Sequence, residues 1–162
     1  MPKHILNISE VELQPRPPQF APKGAAAQRF DARVGRIADQ LGAKKLGYNL
    51  TALPPGKRAF PFHNHLVNEE MFFVVEGTGE LRMGGETFPI RAGDVIACPP
   101  GGQELAHQIV NTGAGELTYL AVSTKEETDV CEYPDSKKVG VLGGQFRFLG
   151  SEEHQPGYWD GE

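Results

Sequence analysis

The sequence predicts a single all-β domain, built as an antiparallel sandwich or barrel. Gly and Pro make up about a fifth of the 162 residues, with 20 Gly and 13 Pro, so turns are frequent and long helices are scarce. After residue 45, short runs rich in β-branched and aromatic side chains alternate with glycine-containing turns. The length suits one domain with a substantial core.

Composition and charge argue against several classes of protein. The formal net charge is −5 and the 16 Lys and Arg residues are scattered, so no basic stripe indicates nucleic-acid binding. The longest apolar run, Met71 to Val75, is far shorter than the roughly 20 residues that span a bilayer. The N-terminus lacks the apolar stretch of a secretory signal. We therefore expect a cytoplasmic protein with neither nucleic acid nor membrane as a partner.

The first 45 residues are predicted to form an irregular arm and one short helix that pack on the barrel. Four prolines between Gln14 and Gly24 exclude a regular helix there and favour extended chain. Residues 25–41 are predicted to be helical, and Gly42 is placed to end that helix. The apolar residues that recur there at helical spacing are Phe30, Val34, Ile37 and Leu41.

Residues 46–150 carry the strand signals of the barrel. Met71 to Val75 is typical of a strand buried on both faces. The Gly84-Gly85 turn between ELRM and ETFPI predicts a hairpin, and NTGAG between AHQIVN and ELTYLAVS also has hairpin length. VGVL and QFRFLG predict a last strand pair, and residues 151–162 form a C-terminal tail.

Three histidines and a carboxylate in the β region have the spacing of metal ligands. His63 and His65 are two residues apart, so both imidazoles of an extended strand point to the same face. Glu69 and Glu70 follow closely, and His107 begins a later strand. Three imidazoles and one carboxylate that converge inside a barrel suit a divalent transition metal. A hydrogen-bonded or surface role for each histidine is the alternative interpretation.

Glycine and proline residues accompany these candidates at regular distances. A first segment, HxH-x4-E-x6-G, begins at His63, and a second, G-x5-P-x-G, begins at Gly93 and is followed by His107-x3-Asn111. In this order the two segments resemble the two motifs of the cupin superfamily. The resemblance covers about residues 46–123 and implies a double-stranded β-helix, the jelly-roll barrel of that superfamily.

Two spacings depart from the superfamily pattern. Gly56 lies one residue further from His63 than the pattern expects, and the loop between Gly101 and His107 is longer. The longer loop leaves open whether His107 is shifted relative to the other candidate ligands. The proline-rich arm and the late CEYPDSKK segment also resemble small single-domain bacterial cupins, most of them of undetermined function.

The resemblance implies a bound divalent transition metal, which is Fe, Mn, Ni or Zn. Glu70 is preferred to Glu69 as a ligand because its distance to Gly77 fits the motif. Glu70 also shares a strand face with Phe72 and Val74. The ligands that the resemblance implies are His63, His65, Glu70 and His107.

Side chains near these ligands are candidates for the pocket, with ordinary core packing as the alternative for each aromatic residue. Tyr133 and Asp135 of the CEYPDSKK segment either cover the barrel mouth or belong to a turn. Cys98 and Cys131 are expected to be reduced and partly buried. The candidate pocket residues are Tyr48, Phe60, Phe62, Glu69 and Phe72.

The intact ligand set favours an enzyme that acts on a small oxygenated molecule. Within the superfamily the resemblance allows sugar or sugar-phosphate isomerisation, dioxygenation or decarboxylation. An isomerase needs a second base, and Glu69 is a weak candidate because it lies on the opposite strand face. The alternative is a module that binds or senses a small ligand without turnover. We expect a homodimer, because an exposed strand edge invites pairing.

Overall fold

Three antiparallel β-sheets form the fold in the computed structural model, which describes residues 3–162. Two short helices, α1 (Ala25–Arg29) and α2 (Ala38–Leu41), lie in the N-terminal quarter. No helix in this described range is long and apolar enough to cross a membrane. The strands are β1 (Gln14–Pro15), β2 (Arg33–Arg36), β3 (Leu46–Leu53), β4 (Asn64–His65), β5 (Glu70–Glu76), β6 (Thr78–Met83), β7 (Glu86–Arg91), β8 (Val95–Cys98), β9 (His107–Val110), β10 (Leu117–Thr124), β11 (Thr128–Tyr133), β12 (Lys138–Gly143) and β13 (Phe146–Ser151).

Neighbouring strands in the largest sheet are distant in sequence. Its order is β1-β2-β3-β10-β5-β8. β3 ends at Leu53 and pairs with β10, which begins 64 residues later at Leu117. The other sheets have the orders β13-β12-β11-β4 and β7-β6-β9. These crossovers between packed sheets are those of a jelly roll, and they confirm the predicted all-β architecture.

The main core lies between the sheets, where alternate residues of the strands face inward. On β10, Leu117 and Tyr119 are buried, and on β5, Phe72 and Val74 are buried. Leu53 of β3 has no exposed surface and belongs to the same apolar cluster. Each large aliphatic side chain buried in this way contributes about 1.5–3 kcal/mol to folding.

The hairpin predicted at Gly84 is confirmed, and so is the strand pair at the C-terminal end. β6 and β7 pair in register across this turn, and Gly84 has a positive φ of 54° that a glycine adopts without strain. β12 and β13 pair around Gly144.

The hairpin predicted at NTGAG is wrong. β9 pairs with β6, whereas β10 pairs with β3 and β5, so this loop joins two different sheets. Asn111 stabilises the crossing, because its side-chain amide donates to the carbonyls of Leu53 and Gly115 at 2.8 Å. Loop length alone does not distinguish a hairpin from such a connection.

The helix predicted over residues 25–41 is also wrong in its centre. α1 ends at Arg29, β2 pairs with β1 and β3, and a second helix then ends at Gly42, whose φ of 70° is left-handed as expected. The free edge of β3 supplies hydrogen bonds to this segment, and tertiary pairing overrides the helical spacing. The N-terminal segment is therefore more regular than an arm, while the division into arm, barrel and tail stays a prediction.

Candidate metal centre

Backbone pairing brings the three histidines of the β region together. His63 and His107 face each other across a β-bridge, with reciprocal backbone hydrogen bonds of 3.2 and 2.7 Å. His65 ends β4, which pairs with Cys131 of β11, and Glu70 begins β5. The longer loop before His107 contains a turn of 3-10 helix and does not displace this histidine from His63.

One oxygen atom of Glu70 lies at the centre of the cluster. Its Oε2 is 2.9 Å from Nε2 of His107, 3.5 Å from Nε2 of His65 and 3.6 Å from Nε2 of His63. Burial raises the pKa of Glu70, but hydrogen bonds from the three imidazoles outweigh it and hold the pKa well below its usual range. The carboxylate is therefore ionised and faces three ring nitrogens.

The opposite ring nitrogen of each histidine already has an acceptor. Nδ1 of His63 donates to the Pro61 carbonyl at 2.9 Å, and Nδ1 of His107 donates to the Leu105 carbonyl at 3.2 Å. Nδ1 of His65 donates to a carboxylate oxygen of another residue at 2.5 Å. These acceptors hold the Nδ1 protons and turn each Nε2 toward Glu70. Once Nε2 is deprotonated, its lone pair is free to bind a metal, as in the tautomer that metal-ligating histidines use.

This donor set fits a divalent transition metal. Ligand atoms held at about 2.1 Å from one ion lie about 3.0–3.4 Å from one another. The distances from Glu70 Oε2 to the three Nε2 atoms, 2.9 to 3.6 Å, are close to that range. His63, Glu70 and His107 each place one ligand atom within 4.8 Å of the others, and His65 adds its Nε2 from the fourth side chain.

The carboxylate behind His65 belongs to Asp129, a residue that sequence reasoning missed. Asp129 is 1% exposed and accepts hydrogen bonds from the Asn68 amide at 2.8 Å and from the backbone of Val67 and Val130. Burial raises the pKa of Asp129, and the hydrogen bonds from His65 and Asn68 lower it to a net value below the ordinary one. Asp129 lies 64 residues after His65, so no local sequence pattern indicated that the two side chains would be in contact.

Cys131 lies two residues further along β11, on the same face, with its Sγ 3.2 Å from Nδ1 of His65. His65, Asp129 and Cys131 form a second close group of potential ligand atoms. Burial lowers the pKa of His65, whereas its hydrogen bonds with Cys131 and Glu70 raise it to about 11. The carboxylate oxygens of Asp129 already accept hydrogen bonds from N–H donors. We therefore interpret the group of His65, Asp129 and Cys131 as one that orients the His65 ring and not as a second metal site. Both cysteines are unpaired and buried, as expected.

Aromatic rings surround the imidazoles. The Phe72 ring lies 5.7 Å from His107, and the Phe60 ring lies 6.5 Å from His63. Tyr133 stacks on His63 with 6.1 Å between centroids and 19° between planes, and burial raises its pKa. A cavity of about 20 Å³ lies among these rings, and its lining residues are Phe60, Pro61, His63, Phe72, His107, Gln108, Ile109 and Tyr119.

Three of the candidate pocket residues lie elsewhere. Tyr48 packs with the separate apolar cluster of Val11, Ile37 and Leu50. Glu69 is exposed, and its backbone N–H donates to the hydroxyl of Thr124 at 3.0 Å. Phe62 is buried, with Cζ of Arg82 3.7 Å from its ring centroid, and it lines a larger neighbouring cavity instead of the small one.

Comparisons with known proteins place this geometry in a family context. A family model described as a cupin domain matches residues 49–123. The oxalate-binding protein of Thermotoga maritima is 37% identical over 70 residues, which cover 43% of this chain and 54% of that protein. The polyketide synthase CurC of Streptomyces cyaneus is 36% identical over 76 residues, 47% of each chain. The chain spans about half to two thirds of the length of the curated relatives it matches.

Solved structures match over nearly the whole chain. A sugar phosphate isomerase of the cupin superfamily from Silicibacter pomeroyi is 25% identical, with a TM-score of 0.79 over 96% of this chain and 98% of that chain. A structure from Acidithiobacillus ferrooxidans has a TM-score of 0.82 over 95% and 96% of the two chains at 24% identity, which shows a shared fold. The similarity therefore includes the N-terminal and C-terminal segments outside residues 49–123.

Proposed function

Because the chain belongs to the cupin superfamily, we propose that it is a metal-dependent enzyme that acts on a small oxygenated molecule. The proposed ligands of a divalent transition metal are His63, His65, Glu70 and His107. One observation supports this most strongly: the Nε2 atoms of all three histidines lie within 3.6 Å of one carboxylate oxygen of Glu70.

Neighbouring groups of this chain would hold the proposed metal ligands in place. The metal would act as a Lewis acid toward a substrate oxygen. Asp129 fixes the ring of His65, and the carbonyls of Pro61 and Leu105 fix the other two rings. Stacked on His63, the ring of Tyr133 limits access of solvent to the cluster.

Among reaction classes we propose isomerisation of a sugar or sugar phosphate first. Similarity to the sugar phosphate isomerase of Silicibacter pomeroyi over almost the full length of both chains supports this choice. Dioxygenation is the second class, because three imidazoles and a carboxylate also suit iron. The base that an isomerase needs stays unassigned, since Glu69 is exposed and turned away.

Binding of a small ligand without turnover is the alternative function. Its support is the similarity to a relative described as an oxalate-binding protein, which is 37% identical over 70 residues. A dicarboxylate or related oxygenated anion would then bind at the metal.

Metal content is the first test of the proposal. Protein purified without chelator should carry close to one divalent transition metal per chain by elemental analysis. Protein reconstituted with Fe, Mn, Ni or Zn that shows no stoichiometric binding would contradict the metal site and both functions built on it.

Turnover assays then separate the functions. The metal-loaded protein should convert a member of a sugar and sugar-phosphate panel if it is an isomerase. Oxygen uptake by the Fe(II) form with diketones, catechols or thiols would instead indicate a dioxygenase. Stoichiometric metal with no turnover in either panel, together with saturable oxalate binding, would support the binding function.

We also propose that the protein is a homodimer. The last strand, β13, is an edge strand, and the exposed fractions of Phe146, Phe148 and Leu149 on it are 62%, 52% and 61%. Sedimentation at micromolar concentration tests this assembly, and a monomeric mass would contradict it.

A further inference from the structure

A second, larger cavity shares Phe60 and Pro61 with the small cavity at the candidate metal centre. Its volume is about 430 Å³, and it is bounded by the N-terminal segment, α1, the loop after β3 and the turn after β11. The rings of Phe20, Phe30 and Phe62 contribute apolar walls. We call it the cationic cavity, after the basic residues that line it: Arg16, Arg29, Arg58 and Lys138.

Aromatic rings, rather than acids, hold three of these guanidinium groups. The Cζ of Arg16 lies 4.6 Å from the centroid of the Phe60 ring. The Cζ atoms of Arg29 and Arg58 lie 5.6 and 5.9 Å from the centroid of the Phe30 ring. Stacking of this kind positions a guanidinium while its N–H groups stay available for an acceptor.

The basic residues of this cavity lack ion pairs with the acidic side chains that the structure describes. None of those carboxylates forms an ion pair with any of the four basic residues. Asp135 is the one carboxylate among the described residues that line the cavity, and Arg82 binds both of its oxygens at 2.6 and 2.8 Å. The cavity therefore carries a local excess of positive charge in a protein whose net charge is −5.

One of these cations has a buried donor without an acceptor, and a second is partly removed from solvent. The Nε of Arg58 is buried and has no hydrogen-bond partner within the described part of the chain. Buried donors of this kind normally have a partner, which can be a ligand. Burial lowers the pKa of Arg16, whose one hydrogen bond from Nη2 goes to the carbonyl of Ala59 at 2.7 Å.

We propose that the cationic cavity binds a small molecule with an oxyanion, a carboxylate or a phosphate, on an apolar or aromatic body. Guanidinium groups bind such oxyanions through paired N–H donors, and the phenylalanine walls match an apolar body. None of the proposed metal ligands lines this cavity. The proposed anion site therefore goes beyond the proposed metal-dependent function, and it can be correct even if the chain binds no metal.

Calorimetric titration of the metal-free protein tests the proposal with three probes: phenyl phosphate, benzoate and inorganic phosphate. We expect saturable 1:1 binding of phenyl phosphate or benzoate, and the tighter of the two identifies the oxyanion. Inorganic phosphate should bind more weakly than phenyl phosphate, because it lacks the ring that packs on the aromatic walls.

Single variants locate the site. Arg29→Gln and Arg58→Gln should each weaken the tighter probe by about tenfold or more, since each removes a charged donor. Arg91→Gln is the matched control, because Arg91 is exposed and does not line the cavity. Because Arg29 is exposed, we expect Arg29→Gln to fold normally, and circular dichroism would verify this.

Several results would overturn the proposal. Absence of saturable binding by all three probes would contradict the site, and equal affinities in Arg29→Gln, Arg58→Gln and Arg91→Gln would place the anion elsewhere. Inorganic phosphate that binds as tightly as phenyl phosphate would contradict the apolar part of the ligand. Binding that appears only after metal is added would assign the oxyanion to the metal centre instead.

Discussion

The candidate metal centre and the cationic cavity share Phe60 and Pro61 as a wall but differ in how their charges are paired. At the metal centre one carboxylate, Glu70, faces three imidazoles, and each imidazole has a second acceptor behind it. In the cationic cavity the guanidinium groups of Arg16 and Arg29 lie over aromatic rings, and the one lining carboxylate, Asp135, is bound by Arg82. The first arrangement suits the proposed cation and the second the proposed anion, and the difference lies in whether the charged groups already have partners of opposite charge.

The largest expected effect comes from the carboxylate at the metal centre. Glu70→Gln should weaken metal binding by at least about 100-fold, because removal of a ligand exceeds the 10–100-fold cost of altering its supporting partners. Glu69→Gln is the matched control and should bind metal as the unmodified chain does, since Glu69 is exposed. Competition with a chelator of known affinity measures both, and the reverse order would overturn the assignment of Glu70.

Replacement of Asp129, whose carboxylate accepts a hydrogen bond from Nδ1 of His65, should have the next largest effect on metal affinity. Asp129→Asn places an amide where Nδ1 of His65 and several backbone N–H groups need acceptors, so metal affinity should fall by about 10–100-fold. Asp39→Asn, at an exposed carboxylate, is the control. The same chelator competition reads both variants, and an Asp129→Asn protein that folds and binds metal normally would show that Asp129 does not orient the ligand.

The number of protons released when metal binds tests the protonation state of His65 at the metal centre. The pKa of His65 is raised to about 11 in the metal-free protein, so this imidazole is protonated at neutral pH and must lose its proton to bind metal. Metal affinity should therefore rise by up to about tenfold per pH unit between pH 6 and 9. Titrations in buffers of different ionisation enthalpy count the protons, and metal binding without proton release would contradict the protonated imidazole.

Substitution of Asp135 should have the smallest effect, and it tests whether charge controls anion binding in the cationic cavity. Its ion pair with Arg82 is half exposed, so Asp135→Asn should change the free energy of unfolding by at most about 1 kcal/mol. Affinity of the cavity for phenyl phosphate should instead rise a few-fold, because the one lining carboxylate loses its charge. Metal affinity should not change. Unaltered phenyl phosphate binding would show that local charge does not control the cavity.

Much of the fold and part of the candidate site could be predicted from local patterns. Alternation on β5 puts Glu70 on the same face as Phe72 and Val74. In the structure both apolar side chains are buried, Glu70 is partly buried and Glu69 is exposed. The two-residue spacing of His63 and His65 likewise placed both rings on one side of the chain. These inferences succeed because neighbouring residues of a strand have a fixed geometry that no distant contact changes.

Residues whose roles depend on pairing with distant strands could not be predicted in this way. Asp129 acts on His65 only because β11 pairs with β4, and Tyr133 reaches His63 from the same distant strand. Tyr48 was expected in the pocket, yet it packs with Leu50 in the second apolar cluster. An aromatic side chain suits either face of a sheet, so composition does not decide which face is the inner one.

The sequence by itself determined the all-β class, the hairpin at Gly84 and the candidate set of metal ligands. Tertiary structure decided which acceptors orient the imidazoles, and it made residues 33–36 a strand at the edge of β3. It also gathered Arg16, Arg29 and Arg58 around one cavity. The physical reason is that local geometry follows from neighbouring residues, whereas convergence of charges depends on which strands and loops come together in space.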